Sequence, residues 1–182
     1  MILSSPFSQN SRFGQKMHRI WIVVIVILII QGCKLTISTT DASISPETKT
    51  CSVQNFPNRA LVVNPSLSRK VYDDLQDKIQ SQTSLRMVNG EADVMFEGEI
   101  TGYETRPAAI TGQNVAALDR LTITIQVKFT NNKDPKFSYS KSFSRYADYS
   151  RNQSFASVEN DLIDEIIPLI LEDIFNAAFA NW

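Results

Sequence analysis

The sequence predicts an α+β two-layer sandwich: about four mainly antiparallel strands, with two helices on one face of the sheet. Three observations predict it. Leu67, Val71, Leu75 and Ile79 recur every four residues and draw one apolar stripe of a helix. From Asp93 to Phe143 the period falls to two, the alternation of half-buried strands. From about Ser157 a helical period returns through Leu162, Ile166, Ile170, Ile174 and Ala178.

The elements begin with a leader. Ile20 to Ile30 is an eleven-residue run without a polar side chain. A membrane-spanning helix needs about 20 apolar residues, so the run is too short to span. It fits the apolar region of a secretory signal, which is about 7–15 residues long. Lys16, His18 and Arg19 supply the positive flank. Ile30-Gln31-Gly32-Cys33 then resembles a lipobox, in which an aliphatic residue, a spacer and a small residue precede a cysteine. The small residue lets a peptidase approach the bond, and the thiol receives a diacylglyceryl group. Gln31 departs from the Ala, Ser or Thr more usual at the spacer. Residues 1–32 are therefore expected to be a lipoprotein signal peptide, cut before Cys33, with lipid on Cys33 as the only covalent group and no cofactor. An uncleaved signal anchor is the alternative. A chain starting at Met17 would also carry a compact signal, so residues 1–16 are expected to be dispensable. Lys34, rather than Asp, follows Cys33, and the first acidic residue is Asp41. Cys33 thus lacks the Asp associated with inner-membrane retention and any acidic surface-export tag beside the lipid.

Removing residues 1–32 leaves 150 residues, enough for one domain at 49–182 behind a lipidated, flexible tether at 33–48. The tether is rich in Ser and Thr and too polar to bury much surface. Three of the 18 basic residues and none of the 19 acidic ones leave with the signal, so the mature net charge is −4. Such a balance argues against a nucleic-acid partner. With Cys33 lipidated, Cys51 has no partner for an internal disulfide. It reads as a small buried residue or, alternatively, as a reactive thiol.

Residues 50–56 read as the first strand, closed by Pro57-Asn58. The first helix opens with Asn64 as N-cap and Pro65 at its first position, and fades by Thr83. Asn89-Gly90 marks a turn. Val94, Phe96, Gly98 and Ile100 alternate with polar neighbours, as do Leu121, Ile123, Ile125, Val127 and Phe129. Residues 105–119 read as a longer connection, residues 131–135 as a turn, and Phe137 to Tyr146 as the next strand. Sequential hairpins imply an antiparallel sheet with one face covered. Ser154 or Ser157 would cap the last helix, and Pro168 is expected to kink or break it.

Catalytic chemistry is poorly supplied. The only histidine, His18, lies in the signal, so the mature domain has no Ser-His-Asp or Cys-His system and no histidine-ligated metal site. Six glycines are scattered without a phosphate-binding motif. Glu97 and Glu99 share a strand face and would suit either an acid–base pair, as in an envelope glycan hydrolase, or a plain solvated face. Charge is distributed unevenly: residues 101–151 hold eight basic and four acidic residues, and residues 152–182 hold six acidic and none basic. Arg106, Lys128, Lys141 and Arg145 lie among Tyr139, Tyr146 and Tyr149. That mixture suits an anionic, amphipathic ligand or partner, and equally suits ordinary cross-strand charge mixing.

Several segments together resemble the LptE family of lipopolysaccharide-assembly lipoproteins. They are Ser45 to Thr50 leading into Ser52-Val53-Gln54-Asn55-Phe56, then Phe96 to Tyr103, and Leu121 to Asn131. Phe143 to Tyr149 and Glu172 to Trp182 complete the pattern. The resemblance covers essentially the whole mature chain and rests on the order and spacing of these segments. It implies an outer-membrane lipoprotein, not an enzyme, that plugs and helps assemble a large β-barrel translocon of the LptD type. It also implies contact with lipopolysaccharide during delivery to the outer leaflet, for which Arg106, Lys128, Lys141 and Arg145 are the candidate residues. A free-standing periplasmic lipid-binding lipoprotein is the other reading that the residues leave open.

Overall fold

The computed structural model describes residues 45, 47–108 and 118–180. Cys33, the signal and most of the tether lie outside the described residues. Five strands form one sheet of order β2-β1-β3-β4-β5. In chain order they are β1 (Thr50–Val53), α1 (Leu67–Gln82), β2 (Arg86–Met87), β3 (Val94–Pro107), β4 (Leu118–Asn131), β5 (Tyr139–Ser150) and α2 (Phe155–Phe179).

The expected α+β class holds, with one strand more and mixed pairing. β1 lies parallel to both β2 and β3, while β3-β4-β5 is an antiparallel meander. The reason is the helix between them. α1 carries the chain back to the start of the sheet, so β2 and β3 run the same way as β1. β2 was illegible because two residues show no period. β1 ends three residues early, at Val53, although the chain still runs beside β3. Gln54 N–H donates to Phe96 C=O at 2.8 Å, and Asn58 bridges Ile100.

The connection expected at 105–119 is shorter, because Arg106 pairs with Arg120 and Pro107 with Asp119. The next strand, expected at 137–146, instead starts at Tyr139 after a 3-10 turn at Pro135–Phe137 and continues to Ser150. α1 begins two residues after Pro65. Asn64 holds the turn before it, its Oδ1 accepting from Ser66 N–H at 3.0 Å.

Pro168 neither breaks nor ends α2, which is continuous from Phe155 to Phe179. Pro168 lies on the exposed side, so the carbonyl it leaves unpaired faces water rather than the core. No described helix is long and apolar enough to cross a membrane.

The core lies between the helices and one sheet face. Leu67, Val71, Leu75 and Ile79 of α1 are all fully buried, as the four-residue stripe predicted. α2 buries a wider stripe, because it packs on β4 and β5 and against α1. Phe96, Phe129 and Phe179 form an aromatic cluster with centroids 4.9–6.1 Å apart. Gly98 is required by close approach: a Cβ there would come within 2.3 Å of Gln126 C=O and 2.6 Å of the Phe56 ring. Cys51 is fully buried in this core, and burial pushes its thiol up to about 12, so it is a packing residue rather than a reactive thiol.

One polar clamp fixes the entry of β1. Asp93 Oδ2 accepts from the backbone N–H groups of Lys49 (2.8 Å) and Thr50 (2.9 Å), and Lys133 Nζ sits 3.1 Å from Oδ1. The Lys49 N–H above all, with Lys133 and Thr50 adding and burial opposing, holds this carboxyl well below the usual carboxylate range.

Candidate functional site

The helices cover one face of the sheet, and the other face of β3-β4-β5 is open. Alternation decides which residues it displays: pleating sends the apolar set inward, and the pairing register aligns the rest in rows. Across the three strands the rows are Glu97-Lys128-Ser140, Glu99-Gln126-Ser142, Gly102-Thr124-Ser144, Glu104-Thr122-Tyr146 and Arg106-Arg120-Asp148. The register shifts between Ile100 and Gly102, and this bulge keeps Tyr103 inward while Glu104 and Arg106 stay outward.

The centre of this face is a hydroxyl and amide ladder. Thr124 and Ser144 hydroxyls lie 3.0 Å apart, Gln126 Nε2 donates to Ser140 Oγ at 3.0 Å, and Ser142 Oγ donates to Gln126 Oε1. The two ends are charged. Lys128 Nζ binds Glu97 at 2.8 Å at one end. At the other, Arg120 grips Asp148 with two bonds of 2.6 and 2.8 Å and stacks 3.5 Å over the Tyr146 ring. The Arg120 fork holds the Asp148 carboxyl below its ordinary range, and Asp148 in turn raises Arg120. Four carboxylates and three cations share the face, so it is polar, nearly neutral and rich in both donors and acceptors. Such a surface suits broad contact with another polar surface.

The four predicted contact residues do not form one cluster. Lys128 and Arg106 lie on the open face. Lys141 pairs with Val127 and Arg145 with Ile123, so both belong to the helix-side face at the edge strand. Three of the four are in ion pairs: Arg106 with Glu104 (2.8 Å), Lys128 with Glu97, and Arg145 with Asp173 (2.6 Å). Lys141 lies 5.6 Å over the Tyr139 ring.

Much of the charge asymmetry along the chain is also answered internally. Asp164 binds Lys70 at 2.9 Å, Glu172 binds Lys78, and Asp173 binds Arg145. Glu159 is not part of a plain solvated helix face, since it accepts from Tyr103 Oη and from Asn64 Nδ2 at 2.8 Å. Glu97 and Glu99 do share a face, but Glu97 is engaged by Lys128.

Sequence reading named Tyr146 but missed Arg120 and Asp148. Asp148 lies beyond Tyr146, where its strand was expected to end. Their convergence needed the register that pairs Arg120 with Asp148 across the hairpin.

Comparison with known proteins agrees with this architecture. The solved structure of a minor lipoprotein from Acinetobacter baumannii is similar, with TM-score 0.51 and 13% identity, over 74% of this chain and 94% of that one. A hypothetical protein from Chlamydia trachomatis gives TM-score 0.48 at 9% identity, over 74% of this chain and 99% of that one. An uncharacterized lipoprotein B from Nitrosomonas europaea gives TM-score 0.44 at 13% identity, over 70% and 80%. No curated protein sequence matches the chain. The family model for lipopolysaccharide assembly, LptE, matches residues 48–178, the whole sandwich from the entry of β1 almost to the end of α2. The chain belongs to the LptE lipopolysaccharide-assembly family.

Proposed function

We propose that this chain is a lipid-anchored plug and assembly factor for a β-barrel lipopolysaccharide translocon of the LptD type. In that role it sits on the periplasmic side of the outer membrane and assists delivery of lipopolysaccharide to the outer leaflet. Membership of the family supports a part in lipopolysaccharide assembly. The observation that carries the finer reading is the open face, where three strands of 14, 14 and 12 residues present a polar, nearly neutral surface. At about 3.3 Å per residue the longer strands run roughly 45 Å, more than a hydrocarbon core of about 30 Å. A rigid body of that length with a polar exterior suits the polar interior of a barrel. Lipid on Cys33 would hold it there through the tether. Sixteen residues at about 3.3 Å each reach roughly 50 Å, enough for the lipid to stay in the leaflet while the domain enters a lumen.

The role asks for no catalysis. The chain supplies shape, hydrogen bonds and paired charges, and Arg106, Lys128, Lys141 and Arg145 are the proposed lipopolysaccharide or partner contacts. The reading is tested by affinity purification of the tagged full-length chain from detergent-solubilised outer membrane. An LptD-type barrel is expected in stoichiometric amount, and mass spectrometry of the same sample is expected to find a diacylglyceryl-modified Cys33. Recovery of soluble periplasmic proteins alone would remove the plug reading.

A further inference from the structure

The loop between β1 and α1 buries Phe56 and Ala60 but leaves three aliphatic side chains in water. Ala60, its smallest apolar residue, is buried, while Leu61 is fully exposed and Val62 and Val63 are 59% and 56% exposed. Three consecutive large aliphatics in water are unfavourable unless something covers them. The loop is also held stiffly. Arg59 N–H donates to Ile100 C=O at 2.8 Å, and Ala60 N–H donates to Asn58 Oδ1 at 3.1 Å. Asn58 Nδ2 reaches across the base to Asn64 C=O at 3.3 Å, and Asn64 Nδ2 ties that base to Glu159 of α2.

We propose that Leu61-Val62-Val63 is a preformed knob that seats in an apolar socket of the barrel partner, an inference that rests on the plug reading. Three features select this occupant. A tip of three side chains is far smaller than the roughly 800 Å² per partner of a self-standing interface, which excludes a second copy of this chain held by the tip alone. The knob therefore works within a larger enclosing contact, as a lumen provides. Its neighbours along the chain, Asn58, Arg59 and Asn64, are polar, so the apolar tip stands on a polar base, as the centre of a protein hot spot is set among polar residues. Its fixed base suits a socket of matching shape, whereas insertion among fluid acyl chains needs no fixed shape. The knob also lies away from the point where the chain enters the domain. Lys49 enters the domain beside Asp93, and Arg59 is seven strand residues further on at Ile100, about 23 Å along β3.

The test uses the tagged full-length chain in cells. A photo-crosslinking residue at Val62 is expected to give an adduct with the barrel, identified by mass spectrometry. The variant Leu61→Ser/Val62→Ser/Val63→Ser is expected to recover at least tenfold less barrel than wild type, with an unchanged thermal midpoint as purified. If wild type recovers the barrel but Val62 crosslinks only lipid, or nothing, the socket is wrong and the plug reading stands. Equal recovery by the triple-serine variant has the same meaning. If wild type recovers no barrel, the plug reading falls and the socket with it.

Discussion

At the scale of single residues, space and charge pairing decide what each side chain does. Gly98 illustrates space: its backbone is approached so closely by Gln126 C=O and the Phe56 ring that a methyl group has no room. Gly98→Ala is expected to destabilise the domain by about 1–3 kcal/mol, read as a lower chemical-denaturation midpoint. A glycine inside an alternating strand was visible in the sequence; the ring that covers it was not, because Phe56 is 42 positions away. Charge pairing changes the outlook for the four basic candidates. All three are in ion pairs, but Lys128 with Glu97 and Arg106 with Glu104 lie on the open face, whereas Arg145 with Asp173 of α2 lies on the helix side. Lys128→Ala and Arg106→Ala are therefore expected to weaken lipopolysaccharide binding more than Arg145→Ala does, by a margin that shrinks as salt rises. Binding measured at two ionic strengths checks this, and equal effects of all three would argue against the open face.

At the scale of elements, ends and interruptions matter most. The entry of β1 depends on the ionised Asp93 carboxylate, which gathers two backbone N–H groups and Lys133. Its folded-state pKa is depressed, so its contribution is fully present above the ordinary aspartate value of about 3.9 and is lost as pH falls through the lower, folded value. Unfolding free energy is expected to drop below about pH 4, and Asp93→Asn should lower stability at neutral pH while flattening that acid limb. Denaturation curves at a series of pH values check both. α2 poses the second question. Pro168 removes one helical hydrogen bond yet the helix continues, since the loss falls on the wet side. Pro168→Ala is expected to raise stability, by up to about 3 kcal/mol, with the fold unchanged. A fall in the thermal midpoint would show that Pro168 is needed for packing. The helices were legible from their apolar stripes. Ser154 does stand at the N-cap position of α2, whereas α1 starts after Ser66 because Asn64 holds the preceding turn instead.

At the scale of the whole molecule, a lipopolysaccharide-assembly fold presents one helix-covered face and one bare polar face, with an apolar knob projecting from the loop before α1. Its charges are mostly paired within the domain, so its partner contacts rest on shape and hydrogen bonding more than on a net field. The sequence by itself determined the α+β class, the buried stripes of both helices, the inward residues of β4 and of β3 up to Ile100, the absence of histidine from the domain and the resemblance to its family. Each of these follows from local periodicity, composition or the order of short segments, which a linear chain carries openly. Only the tertiary structure decided the parallel pairing of β1, the added strand β2, the separation of the four basic residues onto two faces and the exposure of Leu61 to Val63. The physical reason is common to all four. Pairing register and burial depend on contacts between residues far apart in the chain, and alternation states which side chains share a face of one strand but not which strand lies beside it.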